Sequence, residues 1–157
     1  MKSRYVVSLE VRRDASSSPI DAALLDLEIA GYLARKGMTQ DAEAIIKRVR
    51  SQELPCASSK VVATLNLVEG LLCHIAGLDA DALLKWRRAT AIASADECID
   101  VLAIVAGWTA FLHYTNGRFE SMIDELRNAF ELHRRNPAVG ALTSRSRMVV
   151  ALVLHTC

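Results

Sequence analysis

Along most of the chain, apolar side chains recur every three to four residues, as on one face of a helix, and short polar breaks separate the apolar runs. This pattern predicts helices over residues 19–36, 39–52, 59–76, 79–94, 97–116, 119–134 and 141–157. We therefore predict an all-α fold of about seven helices.

The breaks carry residues that typically begin and end helices. Glycine stands where a helix C-terminus needs a left-handed residue at Gly37, Gly77 and Gly117. Ser18 followed by Pro19 is typical of a helix start, with Ser18 as the N-cap. Thr39 and Asp79 are expected to cap the helices that follow the first two glycines.

The three glycines are 40 residues apart, and other positions share this period. Seven residues before the three glycines stand Ala30, Gly70 and Ala110, and five residues after them stand Ala42, Ala82 and Met122. Nine residues after them stand Ile46, Trp86 and Leu126, and twelve residues after them stand Val49, Ala89 and Ala129. Small residues let two antiparallel helices approach closely, and the large residue fills the space against the next pair. A stack of such pairs buries the apolar faces that a single pair leaves open.

These columns resemble those of tetratricopeptide repeats, and the turn from Gly117 to Met122, with its aromatic Phe119, is similar to that family's turn. The resemblance covers about residues 24–134 and implies a right-handed α-solenoid of antiparallel helix pairs. The chain departs from the common family form in its 40-residue period, in Met122 on the second helix, and in Cys73 and His113, where the family often has tyrosine. Longer-period variants of this kind occur in N-terminal regions of bacterial signalling proteins.

The chain divides into an N-terminal arm, residues 1–18, and a repeat domain, residues 19–157. The repeats are expected at about 19–58, 59–96 and 97–137, with a half repeat at 138–157. Within the arm, residues 5–11 alternate weakly, as a short strand does, but no second strand is visible to pair with them. The arm is therefore expected to be either flexible or docked on the rest of the chain.

Composition narrows the setting in which the protein works. The formal net charge is +1, which gives no reason to expect nucleic acid or an acidic membrane as a partner. Four widely spaced cysteines and the lack of a secretory signal favour reduced thiols and a cytoplasmic location. The most apolar run, residues 101–112, is too short to span a bilayer.

The residues give no specific catalytic motif, so we expect neither an enzyme nor a cofactor. Cys73, His74 and His113 are candidate metal ligands by residue type, but zinc ligands must converge at about 2 Å from one ion. Residues of one column on successive repeats are separated by about 9–10 Å. Packing between helices is the favoured interpretation, and no metal site is expected.

Two surfaces are candidates for a partner. In the resembled family the first helices line a concave groove, which here implies the partner-binding residues Leu27, Leu67, Leu71, His74, Phe111 and Tyr114. The alternative is that Leu67, Leu71 and Phe111 are ordinary core. A basic stripe on the second helices comprises Lys47, Arg48, Arg87, Arg88 and Arg127, and a solvated face with local ion pairs is the favoured interpretation of it.

We therefore expect a non-catalytic interaction or sensor module that binds a peptide or protein segment in an apolar groove, as the N-terminal part of a longer bacterial signalling protein. One alternative is a self-association module that forms a homodimer through residues 141–157. Another is a small repeat chaperone for a secreted substrate.

Overall fold

In the computed structural model, which describes residues 3–52 and 58–135, all regular structure is helical. The helices are α1 (Arg4–Asp14), α2 (Pro19–Arg35), α3 (Thr39–Ser51), α4 (Ser59–Ile75), α5 (Asp79–Ala95), α6 (Ile99–Thr115) and α7 (Phe119–Arg135). The all-α prediction is thus confirmed for the described residues. The predicted helix at 141–157 lies outside them.

Helix α1 occupies the arm, so the strand suggested by its weak alternation is wrong. Val6 and Leu9, three residues apart, are buried against α2, which is the spacing of one helical face and not of a strand. The hydroxyl of Ser3 accepts a hydrogen bond from the backbone N–H of Val6 and caps the helix. A lone strand would have left its backbone groups unpaired, whereas a helix pairs them internally.

The remaining helices begin at positions that are 20 residues apart: Pro19, Thr39, Ser59, Asp79, Ile99 and Phe119. The 40-residue sequence period is therefore two units of helix plus turn. The predicted boundaries agree with this spacing to within two residues.

The glycine turns adopt the left-handed backbone that the sequence predicts. Gly37, Gly77 and Gly117 have φ angles of 78°, 77° and 70°. In each turn the next residue donates its backbone N–H to a carbonyl five residues back, as Leu78 does to Cys73 at 2.9 Å. This is the Schellman arrangement, and it pairs carbonyl groups that the helix end would otherwise leave unsatisfied.

The turn between α5 and α6 has the same form without a glycine. Glu97 has a φ of 52°, and the N–H of Cys98 donates to the carbonyl of Ala93 at 2.8 Å. A left-handed backbone is costly for a residue with a Cβ. Helix α6 consequently begins at Ile99, two residues later than predicted.

The predicted N-cap at Ser18 is confirmed, because its hydroxyl accepts the N–H of Asp21 at 3.2 Å. The predictions for Thr39 and Asp79 are wrong, because the cap positions are Met38 and Leu78, which make no side-chain cap hydrogen bond. The three-residue Schellman turns place Thr39 and Asp79 one position inside their helices.

The helices pack as three antiparallel pairs, α2 with α3, α4 with α5, and α6 with α7. The first helices also pack on one another, α2 against α4 and α4 against α6, while α1 lies on α2. The residues of all four repeat columns are buried, as predicted. This sequential packing is that of a helical-repeat solenoid.

Two buried carboxylates tie neighbouring helices together. Asp26 on α2 accepts hydrogen bonds from Arg13 of α1 at 3.1 Å and from Arg48 of α3 at 2.8 Å. On α4, the carboxylate of Glu69 is held by Arg50 of α3 and by Lys85 of α5. Each first-helix carboxylate thus joins the helix before it to the helix after it, which compensates the cost of its burial.

Candidate functional site

Of the predicted partner-binding residues, the three leucines are not accessible. Leu27 and Leu71 lie in the core shared by α2, α3 and α4, and Leu67 lies in the core shared by α4, α5 and α6. The prediction that these leucines face a partner is therefore wrong. The core alternative is correct for Leu67 and Leu71, whereas Phe111 is partly exposed. One residue turns a helix by about 100°, so a small error in the register taken from the resemblance moves a side chain from groove to core.

His74, Phe111 and Tyr114 are partly exposed on the first helices, and the structure joins two of them to a residue that the sequence analysis did not single out, Trp108. The ring centroids of His74 and Phe111 are 6.0 Å apart, and those of Trp108 and Phe111 are also 6.0 Å apart. Both pairs meet edge to face, at 89° and 90°, which is a favoured aromatic geometry. We call His74, Trp108 and Phe111 the aromatic cluster.

Beneath the aromatic cluster lies the indole of Trp86, only 1% exposed. Its centroid is 6.1 Å from that of His74 and 6.4 Å from that of Trp108. The indole N–H donates to the carbonyl oxygen of Leu67 at 3.2 Å. Because this donor is satisfied, Trp86 can be fully buried as the floor of the site.

A polar edge flanks the cluster where α4, α5 and α6 come together. Nδ1 of His74 lies 2.9 Å from one carboxylate oxygen of Asp79, and the side-chain amide of Asn116 donates to the other oxygen at 3.2 Å. The hydrogen bond with His74 is the larger cause, and that with Asn116 the smaller one, that lowers the pKa of Asp79 below its ordinary value. The carboxylate is therefore ionised near neutral pH and orients the imidazole of His74.

Tyr114 extends the aromatic surface towards α7. Its ring meets that of Phe119 at 6.3 Å in an edge-to-face contact, and Phe119 is 56% exposed. Two further apolar side chains on α7, Ile123 and Phe130, are also exposed.

Cys73 and His113, which share one repeat column, are separate packing residues of α4 and α6. Burial raises the pKa of the Cys73 thiol and, together with Arg118 and Arg87, lowers the pKa of His113. In the part of the chain that the structure describes, no three His, Cys, Asp or Glu residues group together as metal ligands.

The residues of the basic stripe are exposed on α3, α5 and α7. Arg48 is bound to the buried Asp26, and Arg127 lies 3.5 Å from Asp124 in a pair between solvent-exposed side chains. These two arginines thus make local ion pairs, and Arg48 also has a structural role that the sequence did not indicate.

A cleft of about 610 Å³ separates α1 from α3 above α2. Ile29 and Leu33 contribute to its apolar lining, and charged groups of both signs, such as Lys36 and Asp41, also line it. The cleft therefore favours neither an anionic nor a cationic ligand.

Among the described residues, no helix is both long and apolar enough to cross a membrane. Comparison with protein-family models, curated proteins and solved structures found no match to this chain. The resemblance to tetratricopeptide repeats therefore remains a prediction. The geometry of the site gives an apolar surface with one oriented imidazole, which suits contact with apolar and aromatic groups.

Proposed function

We propose that this protein is a non-catalytic interaction module that binds a peptide or protein segment across the aromatic cluster. One observation carries the proposal: three partly exposed rings, His74, Trp108 and Phe111, lie together on a buried indole floor. Aromatic side chains supply large contact area at low entropic cost and often dominate the energy of protein interfaces.

The proposed ligand is a short segment with apolar anchor residues. The cluster is built on two first helices, α4 and α6, which pack directly on one another, so the rings sit on a rigid support. The ionised carboxylate of Asp79 engages His74 and Asn116, which satisfies the polar edge internally. Apolar contact is therefore the main source of affinity at this surface.

The wider setting belongs to the same proposal. A module of this kind fits the resemblance to tetratricopeptide repeats, a cytoplasmic location, and a place in the N-terminal part of a longer bacterial signalling protein. These statements depend on the sequence pattern, and each fits a stack of helix pairs that presents one aromatic surface.

The test is selection from a random 12-residue peptide library on the immobilised protein, followed by affinity measurement with fluorescein-labelled peptides. Phe111→Ala should weaken the selected peptides by about tenfold or more, since it removes a ring from the centre of the surface. Phe130→Ala is the matched control, because Phe130 is 53% exposed on α7 and is not part of the cluster.

Circular dichroism must show that both variants keep wild-type helicity. If no peptide is selected, or if both phenylalanine variants bind equally well, the proposal is wrong.

A second candidate function, self-association, is favoured by the exposed apolar residues of α7. Phe119, Ile123 and Phe130 lie 40 residues after Asp79, Leu83 and Thr90. Two of these earlier residues meet the third repeat: Asp79 accepts a hydrogen bond from Asn116, the residue after α6, and Leu83 packs in the core shared with α6. The outer face of α7 thus corresponds, in the repeat, to a face of α5 that the third repeat partly covers.

The mass in solution, measured by light scattering over a range of concentrations, tests this alternative. A dimer that Ile123→Glu converts to a monomer would support self-association. A concentration-independent monomer would exclude it. The predicted pairing segment, residues 141–157, lies outside the described residues.

A further inference from the structure

Two of the three rings of the aromatic cluster rest on one buried side chain. Trp86 lies 6.4 Å from Trp108 with the ring planes inclined by only 24°, and 6.1 Å from His74. Trp86 belongs to the second helix α5, whereas the rings that it supports belong to α4 and α6. The height and tilt of the surface rings therefore depend on a residue that no ligand can touch.

The indole of Trp86 is itself held in place by α4. Its N–H donates to the carbonyl of Leu67, and its ring passes directly over Gly70. A Cβ at position 70 would lie 2.4 Å from Nε1 and 2.5 Å from Cδ1 of Trp86, closer than real Cβ contacts come. Gly70 is thus required for the indole to reach its site.

We infer that Trp86 is a positioning residue of the aromatic surface, and that Gly70 is the residue that admits it. The inference rests on the proposed function, because it assigns these two residues a role in presenting Trp108 and His74 to a ligand. A smaller side chain at position 86 leaves space below the surface, and the rings of Trp108 and His74 move into it.

The sequence offers a direct optical test, because the chain has two tryptophans, Trp86 and Trp108. Trp86 is 1% exposed, so its emission in the wild-type protein is not quenched by acrylamide, and a two-component fit of the wild-type data gives the quenching constant of Trp108 alone. The variant Trp86→Phe leaves Trp108 as the sole tryptophan and removes the hydrogen bond to Leu67. We expect the quenching constant of Trp108 to change by about twofold or more, because its support is smaller and no longer anchored.

A matched control separates positioning from general loosening. Leu9→Ala removes a fully buried side chain from α1, in a core cluster that does not include Trp108. It should destabilise the protein, because it leaves a cavity in the core, and leave the quenching constant of Trp108 unchanged. If Trp86→Phe leaves the quenching of Trp108 at the wild-type value, or if Leu9→Ala changes it equally, the inference is overturned.

Binding supplies the second readout, with a fluorescein-labelled peptide selected on the wild-type protein as the probe. Gly70→Ala, which alters no ring of the surface, should weaken that peptide by about tenfold. Gly31→Ala should not, because a Cβ there meets only ordinary contacts at 3.5 Å and 3.7 Å. Equal affinity of both variants would overturn the inference. If no peptide binds the wild type, the proposed function fails, while the quenching experiment still decides the position of Trp108.

Discussion

Gly70 lies directly under the indole of Trp86, at a separation that leaves no room for a single additional carbon atom. The two residues occupy different columns of the 40-residue period, a small one on the first helix and a large one on the second. Their contact joins α4 to α5 and supports the partly exposed rings above.

Gly70→Ala should therefore lower the free energy of unfolding by roughly 1–3 kcal/mol, the usual cost of overpacking a core. This loss opposes the gain of about 1 kcal/mol that alanine normally brings to a helix. Urea denaturation monitored by circular dichroism measures the difference.

Gly31→Ala is the control for this prediction. Gly31 is also buried in a first helix, but a Cβ there would lie 3.5 Å from the flexible end of Arg35 and 3.7 Å from Val68. It should leave stability unchanged or raise it by up to about 1 kcal/mol. Equal stability of the two alanine variants would show that Trp86 does not depend on the glycine.

Glu97 provides the second prediction, because it adopts a left-handed backbone without being a glycine, with φ at 52°. Glu97→Gly should raise the free energy of unfolding by about 0.5–1 kcal/mol, because glycine carries no Cβ penalty in this conformation. The reciprocal change Gly77→Glu, in the turn between α4 and α5, should lower it by about 1 kcal/mol. A Glu97→Gly protein that melts below the wild type would contradict the prediction.

The pairing of helices was predictable from sequence, since it depends on residues that recur at a fixed period. Ala30, Gly70 and Ala110 stand in one column, and all are buried where two helices approach closely. Turn positions were predictable for the same reason where glycine marks them. Glu97 was not, because a glutamate carries no sign that its backbone is left-handed.

The candidate site was less accessible to sequence reasoning. The repeat pattern does not predict Trp108 as a site residue, because the same column holds Val68 and Glu28 in the other repeats. Its spacing of three residues from Phe111 is the signal that could have found it, since both lie on one face of α6. Leu71 was misplaced because a repeat pattern sets the order of the helices but not the rotation of each about its own axis.

The buried carboxylate of Asp26 gives the third prediction. Arg13 and Arg48 approach it from opposite helices, and its side chain is only 4% exposed. Replacing either arginine by methionine should cost about 1–2 kcal/mol, and replacing both about 3–5 kcal/mol, because the double variant leaves a buried charge without a partner. Adding Asp26→Leu to the double variant should restore part of the loss.

Ion pairs between exposed side chains on α7 serve as controls for the loss of stability at Asp26. Arg127→Met and Arg134→Met break surface ion pairs with Asp124 and Glu131, and should each cost no more than about 0.5 kcal/mol. Chemical denaturation of all the variants gives the comparison. The prediction is wrong if the Arg13 and Arg48 variants each lose as little stability as the α7 variants and the two losses simply add. That result would show that the carboxylate of Asp26 is hydrated rather than bound by the arginines.

Glu125 gives the last prediction, through the pH dependence of stability. It stands 40 residues after Lys85, on the second helix of its pair. Burial is the larger cause, and the nearby Asp124 the smaller one, that raises the pKa of Glu125 above the ordinary value of 4.5. A raised pKa means that the folded protein prefers the protonated carboxyl, so its contribution to stability is complete below that ordinary value and is lost as the pH rises through the raised pKa. At a pH above this raised pKa, Glu125 is therefore ionised at a cost to the folded state. Glu125→Gln, which stays neutral, should raise the melting temperature at pH 7, and the advantage should disappear as the pH falls below about 4.

Glu120→Gln on the same helix is the control for this prediction. Glu120 is exposed in the first turn, where its negative charge interacts favourably with the helix dipole, so its removal should bring no gain at pH 7. Thermal melts of both variants between about pH 3.5 and about pH 8, a range that covers ordinary and raised carboxyl pKa values, distinguish these outcomes. An equal advantage of Glu125→Gln at both ends of the range would mean that its effect is steric and that the charge of Glu125 does not weaken the fold.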